Sequence, residues 1–139
     1  MRSIVGEMSS IADEMVSTPA RDETRSKASS RPVDLVHLSR YTLGERALEG
    51  EVLALFQTQA AVCLQRLGAA EMDREWKEAA HTLKGSARAI GAWRAGDAAE
   101  RAEGLSGTAL AEGRGPALRE LELAVREAKP YIQTLLEDR

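Results

Sequence analysis

Apolar residues recur every three or four positions from Val33 to the end of the chain, and this spacing constrains the fold more than any other feature. It is the period of an α-helix that buries one face, and no segment alternates as a half-buried β-strand does. The connections between the apolar stretches are short, which favours antiparallel neighbours. We therefore predict an all-α fold, an antiparallel up-down bundle of four main helices preceded by a short helix.

Capping residues, glycines and prolines set the expected helix boundaries. Asp34 and Asp73 are the expected N-caps of the first and third helices, because an aspartate side chain accepts from free backbone N–H groups. Gly113 and Gly115 are expected to end the fourth helix, and Pro116 suits the first position of the fifth. The predicted helices cover 35–41, 45–67, 73–90, 92–111 and 116–136.

Three single residues inside the predicted helices need a structural interpretation. Pro130 lies in the last helix, but the apolar stripe keeps its phase across it, so we predict a kink rather than a new element. Cys63 lies on the apolar stripe of the second helix and is interpreted as a small core residue. Gln59 falls on the same side and lies either at the rim or within hydrogen-bonding distance of the active face.

Residues 1–32 differ in composition from the rest, with nine Ser or Thr and five basic against five acidic residues. The part from 19 to 32 has almost no apolar residues and is typical of a flexible linker. Before it, four apolar residues at helical spacing could form a short helix over 4–16, although an isolated helix of ~12 residues is marginal in water. We therefore divide the chain into a tail, 1–32, and a domain, 33–139.

Charge and cysteine content exclude several classes of protein. Nineteen Lys and Arg against 22 Asp and Glu give a net charge of −3, whereas a general nucleic-acid binder is basic. One cysteine cannot form an internal disulfide and fits a reducing compartment. No apolar run approaches the ~20 residues that span a bilayer, and no signal-peptide pattern begins the chain. We expect a cytoplasmic protein that binds neither nucleic acid nor membrane.

One histidine falls on the polar face of the third predicted helix. At 100° per residue, the apolar residues of this helix lie opposite His81. The polar residues within about 60° of it are Arg74, Lys77, Glu78, Lys84, Gly85 and Arg88. This face is locally basic, and Glu78 is its one acidic residue on the wheel. We therefore predict that His81 is exposed and is not a core histidine.

An exposed neutral imidazole has a nitrogen lone pair that can attack a phosphoryl group. Lys84, three residues on, can bring its ammonium group to the phosphoryl oxygens. Gly85 costs about 1 kcal/mol relative to alanine within a helix, so we attribute it to access for a bulky partner, with close helix packing as the alternative. For Lys77 and Arg88, a solvated helix face is the simpler explanation, and added positive charge for a partner is the other.

The run HTLKGSA at 81–87, followed by IGA at 90–92, closely resembles the histidine-containing phosphotransfer (HPt) domain of bacterial two-component phosphorelays. The resemblance extends over 33–136 and includes TLG at 42–44. It implies a four-helix bundle in which the exposed histidine of this run is phosphorylated, the lysine steadies the phosphoryl group and the following glycine gives a receiver domain clearance. The departures from the family pattern are Trp93, Gly96 and Pro130.

The resemblance also implies how such a protein works. A receiver phospho-aspartate gives its phosphoryl group to His81, which passes it to another response-regulator receiver, so the chain is a carrier without autonomous kinase activity. The expected partners are receiver domains and a hybrid histidine kinase, with the chain itself a monomer. Lys77, Glu78 and Arg88 are the expected partner-binding residues. No cofactor or metal is expected on this chain, because the receiver would supply Mg²⁺.

Three other functions compete with this one. A histidine-kinase dimerisation helix also displays a histidine but needs an ATP-binding domain, and no glycine-rich nucleotide motif follows here. A zinc site needs several His or Cys at ligand spacing, whereas His37 and Cys63 lie far from His81 in sequence. His37 is more simply structural or partly exposed. A module that binds receivers without phosphotransfer remains the alternative, although it would not need His81, Lys84 and Gly85.

Overall fold

The computed structural model describes residues 31–137 of the chain. Five helices and no strand form this part, which confirms the all-α prediction for these residues. The helix predicted over 4–16 and the linker after it lie outside the described residues. The helices are α1 (Leu35–Thr42), α2 (Arg46–Ala69), α3 (Asp73–Ala89), α4 (Trp93–Glu103) and α5 (Gly107–Glu137).

The four long helices enclose one hydrophobic core. Each packs against two others, in the order α2–α3–α4–α5 and back to α2, while α1 packs against α2. Full burial of one large apolar side chain contributes about 1.5–3 kcal/mol, so these contacts hold the helices together. The largest buried apolar side chains are Trp76, Phe56, Leu38, Leu53, Leu67, Leu83, Ile90, Leu121 and Ile132.

The helices α3 and α4 form a hairpin about Ala92. Arg88 and Gly96 each lie four residues from Ala92, and a Cβ built on Gly96 would come within 2.9 Å of Cγ of Arg88. His81 and Glu103 each lie eleven residues from Ala92, and their side chains are in contact. Since residues at equal distances from the turn meet, the two helices run in opposite directions.

Asp34 ties α1 to the turn of this hairpin. Its side chain accepts from the backbone N of His37 at 3.1 Å, which confirms the predicted N-cap, and from Nε1 of Trp93 at 3.0 Å. Its backbone N donates to the carbonyl of Gly91 at 2.9 Å. A Cβ on Gly91, whose φ is +75°, would lie 2.6 Å from Cβ of Asp34, so this position requires glycine.

The predicted boundary between the fourth and fifth helices is wrong. Instead of spanning 92–111, the fourth helix ends at Glu103, and the fifth begins at Gly107 rather than at Pro116. Gly107, the first residue of the last helix, adopts a left-handed φ of +56°, so the chain turns there. The tertiary contacts of α5 with α2 and α4 outweigh the low helix propensity of the residues near Pro116.

Gly113 and Gly115 do not end a helix. Arg114, which lies between them, forms hydrogen bonds from this part of α5 to the end of α2. Arg114 donates from Nη2 to the carbonyls of Leu67 and Gly68, at 2.9 and 3.1 Å. These carbonyls are among those that the end of a helix leaves without an intrahelical partner. The segment stays helical because it caps its neighbour.

Asp73 is the first residue of α3 and not its N-cap. Glu75 satisfies the start of α3 instead, since its side chain accepts from the backbone N of Glu71 at 2.8 Å and of Met72 at 3.1 Å. These two hydrogen bonds lower the pKa of the Glu75 carboxyl. The carboxylate of Asp73 accepts from the backbone N of Gly107 at 2.8 Å, so it caps α5 and joins it to α3.

Pro130 lies within the last helix, and Cys63, Gln59 and His37 are buried or half-buried. The last helix continues through Pro130, so no new element begins there, as predicted. Cys63 is a buried core residue, and burial raises the pKa of its thiol to about 11. Gln59 is half-buried and donates to Sγ of Cys63 at 3.7 Å. His37 is buried and packs edge-on against Trp93.

We predict that Trp93→Phe destabilises the protein by about 1–3 kcal/mol, because the buried carboxylate of Asp34 loses one of its donors. Urea denaturation followed by far-UV circular dichroism measures the change. Arg94→Ala is the control, since it removes only a surface ion pair with Glu127 and is expected to cost less than about 1 kcal/mol. Equal losses in the two variants would contradict the role given to Asp34.

Candidate functional site

His81 lies about midway along α3 and is exposed, as the helical wheel predicts. The side chain is 47% accessible, whereas Trp76, Ala80 and Leu83 of the same helix are fully buried. The residue therefore contributes little to the core. Its ring is held from the outside, by a side chain of the neighbouring helix.

One carboxylate of α4 contacts both His81 and Lys84. Nδ1 of His81 lies 2.9 Å from Oε2 of Glu103, and Nζ of Lys84 lies 2.8 Å from Oε1. We call these three residues the bridged triad. Glu78 is thus not the one acidic residue near His81, and Lys84 is held in place beside the ring by an ion pair.

The wheel missed Glu103 because it treats α3 alone, while Glu103 comes from the next helix. The sequence nevertheless contains the information that places Glu103 beside His81. Once α3 and α4 are expected to run antiparallel about Ala92, the residue opposite His81 is the one eleven positions beyond the turn. Glu103 is that residue.

The pKa of the Glu103 carboxyl group depends on its partial burial and on its two partners, Lys84 and His81. Partial burial on its own would raise its pKa, but the hydrogen bonds from Lys84 and His81 and their charges outweigh burial, so the pKa is lowered. Glu103 is therefore ionised at neutral pH and can only accept hydrogen bonds. The hydrogen in its contact with His81 accordingly belongs to Nδ1.

Lys84 is half-buried, with 18% of its side chain accessible. The wheel predicts a freely exposed lysine, whereas the structure fixes its ammonium beside the imidazole through Glu103. An ammonium group has three donors, and the contact with Glu103 accounts for one of them. The structure therefore brings together a nucleophilic ring and a positioned cation.

Gly85 and Arg88 are buried, so their predicted exposure is wrong. The wheel cannot show that α4 covers the second half of α3. Arg88 packs over Gly96 and pairs with Glu100 and, at 3.7 Å, with Asp97. The burial of Gly85 agrees with close packing, the alternative noted above. The roles of these two residues towards a partner stay predictions.

A groove runs beside His81, between the end of α2 and the first half of α3. The predicted residues Lys77 and Glu78 are exposed and line it together with His81. Its charged residues are three basic and three acidic, so the site is less basic than α3 alone suggests. They are Arg66, Arg74, Lys77, Glu75, Glu78 and Glu103.

Other sites considered from the sequence do not form in the described residues. Within 31–137, no three His, Cys, Asp or Glu side chains come together as a metal site would require. In the same range, no helix has the length and apolar character needed to cross a membrane. His37 lies against Trp93 and Cys63 lies in the core, so neither joins His81.

We predict that Glu103→Gln lowers the free energy of unfolding by about 0.5–1 kcal/mol at pH 7. The folded state lowers the pKa of Glu103, so its ionised form stabilises the fold above the ordinary pKa of glutamate, about 4.3. That contribution is lost as the pH falls through the folded value. Urea denaturation between pH 7 and pH 3 should show the two proteins converging in acid.

Glu122→Gln, at an exposed position of α5, is the control for this comparison. It removes the same charge and should change the free energy of unfolding much less. If the difference between Glu103→Gln and the unmodified protein persisted unchanged at pH 3, the ionised carboxylate would not be its source.

Comparison with protein-family models identifies one match. The model described as the Hpt domain covers residues 51–137, which is more than half of the chain. The matched part contains most of α2 and all of α3, α4 and α5, and with them the bridged triad. No curated protein and no solved structure gives a significant match to the chain.

Proposed function

This chain belongs to the Hpt domain family, and on that premise we propose that it carries a phosphoryl group on His81 between receiver domains. Hpt domains are phosphocarrier modules of two-component phosphorelays. They work with response-regulator receivers and histidine kinases and are not kinases themselves. The finer proposal is the direction of transfer: His81 accepts from the phospho-aspartate of one receiver and gives to the aspartate of another.

The strongest support for His81 as the phosphoryl acceptor is its exposure on a helix, next to a positioned cation. Its ring is accessible, and Lys84 is held beside it by the shared carboxylate of Glu103. A nucleophile needs access for an in-line attack, and the phosphoryl oxygens need a positive charge nearby. The bridged triad offers both within the region that matches the family.

In the proposed mechanism, a phosphorylated receiver docks against α3 and His81 attacks the phosphorus in line. The bond from phosphorus to the receiver aspartate breaks as the bond to nitrogen forms. Lys84 offsets charge on the phosphoryl oxygens, while the receiver holds the Mg²⁺ ion. Catalysis is then mainly positioning and charge stabilisation, which the two proteins share.

The groove beside His81 is the proposed docking surface on this chain. Lys77 and Glu78 are exposed there and can meet a receiver directly, while Arg66 of α2 adds a positive charge from the neighbouring helix. Clearance for the receiver beside the ring is the role that the family resemblance implies for Gly85, which is buried in this structure. Arg88 would act through its contacts with α4.

The same proposal covers the organisation of the chain. We infer an antiparallel up-down arrangement of α2 to α5, in a domain of 33–139 preceded by the tail 1–32. The opposite directions of α3 and α4 and the circular packing order of the four long helices support it. We expect a cytoplasmic monomer that binds neither nucleic acid nor membrane.

Transfer of labelled phosphate tests the function directly. The protein is incubated with a receiver that carries labelled phospho-aspartate and Mg²⁺, and acid-labile, base-stable label should appear on this chain. His81→Gln should abolish it, whereas His37→Gln, which changes the other histidine of the chain, should retain it. Circular dichroism checks that both variants remain helical.

The result distinguishes between the two candidate functions, phosphoryl carrier and interaction module. Label that persists in His81→Gln would show that another residue is the acceptor. If the unmodified protein binds receivers but never carries phosphate, it is an interaction module and not a phosphoryl carrier.

We predict that Lys84→Ala slows phosphotransfer about five- to tenfold, because a cation near the phosphoryl group supplies roughly 1 kcal/mol or more in a partly exposed site. Rapid-quench measurement of the label on His81 gives the rate. Lys129→Ala, at an exposed position of α5, removes the same charge and should leave the rate unchanged. A loss of helicity in Lys84→Ala, or equal slowing in both variants, would contradict the assigned role.

A further inference from the structure

A second groove lies between α2 and α5, and we call it the α2–α5 groove. The apolar residues that line it range from fully buried to exposed, and they are Phe56, Ala61, Leu64, Val125 and Ile132. In the described part of the chain, this groove and the one beside His81 share no lining residue. An apolar segment laid along the α2–α5 groove would remove its exposed apolar surface from water, which is favourable.

The charge of the α2–α5 groove is positive. Among residues 31–137, Lys129 is the one charged residue that lines it. The residues three and four positions from Lys129 along α5 include no acid, and they are Val125, Arg126, Ile132 and Gln133. The groove therefore fits an apolar helix that carries acidic residues along one edge.

The N-terminal part of the chain contains a sequence of this kind. Its apolar residues recur in steps of four, three and four, the spacing with which a helix packs against other helices, and they are Ile4, Met8, Ile11 and Met15. On the helical wheel, Glu7 and Glu14 lie together along one edge of this apolar stripe. The segment 4–16 thus matches the groove in apolar character and in charge.

The described part of the chain begins close to α5. Asp34 accepts a hydrogen bond from Trp93, at the start of α4. The next residue, Arg94, pairs with Glu127 of α5, which lies between two groove residues in sequence. Residues 17–32 span up to about 50 Å when extended, whereas the whole of α2 is about 36 Å long. The segment 4–16 can therefore reach the groove of its own chain.

We propose that residues 4–16 bind as a helix in the α2–α5 groove of their own chain, with the apolar stripe against the groove and Glu7 or Glu14 beside Lys129. So short a helix is marginal alone in water, and the groove supplies the tertiary contacts that it lacks. Because the segment is tethered, its effective concentration at the groove is on the order of millimolar, so a weak contact is sufficient. This inference does not depend on the proposed function of His81.

Zero-length crosslinking of the full chain with a carbodiimide tests the contact, because it joins a carboxylate to a lysine only where the two meet. We expect a link from Glu7 or Glu14 to Lys129, identified by mass spectrometry after proteolysis. The ion pair between Lys84 and Glu103, at 2.8 Å, is the positive control within the same sample.

Neutral substitutions distinguish docking from random contact without changing the carboxylates or lysines. Ile11→Gln in the stripe and Ala61→Gln in the groove should each reduce the Lys129 link at least about threefold, because each places a polar amide in an apolar contact. Ser10→Gln, away from the stripe, and Ala111→Gln, at an exposed position of α5 outside the groove, are the matched controls and should retain the link. Circular dichroism checks that all four variants remain helical.

Mixing ¹⁴N-labelled and ¹⁵N-labelled protein before crosslinking shows which copy supplies the segment. Links within one label that both groove and stripe variants lose, and that the controls keep, support the proposal. Links that combine the two labels show that the segment of a second copy occupies the groove, and they overturn it. It is also overturned if the Lys129 link is absent while the Lys84 link forms, which leaves the groove to a different protein, or if either variant retains the link.

Discussion

The close packing of α3 against α4 is the contact on which the candidate site depends. Small residues make it possible, since Gly96 leaves only enough room for the side chain of Arg88 to cross it. A Cβ at this position would lie 2.9 Å from Cγ of Arg88, so the Arg88 side chain could not cross here as it does. The contact therefore buries one end of α3 and completes the site at its middle.

Those features of the arrangement that depend on a single helix could be predicted from the sequence. The exposure of His81 follows from the clean apolar face of α3, and the cap at Asp34 follows from a local hydrogen bond. The burial of Arg88 and the place of Glu103 could not be predicted from α3 alone, because both depend on which helix packs beside it.

The errors at the start of α3 and in α5 have the same origin. Asp73 is a good N-cap by residue type, but its carboxylate caps a helix 34 residues away. Two glycines and a proline predict a break near residue 115, yet Arg114 turns this segment into the cap of α2. In each case a side chain satisfies the backbone of a distant element, and local propensity contains no information about that partner.

Hydrogen bonds hold α3 at both ends, and this affects how a partner can bind. Asp73 at its start is bonded to α5, Trp76 donates to the carbonyl of Ala102 at 2.7 Å, and the turn after its last residue is bonded to Asp34. A helix held in this way has little conformational freedom left to lose on association. Two different partners would therefore meet the same preformed surface, and any preference between them would have to come from their own surfaces.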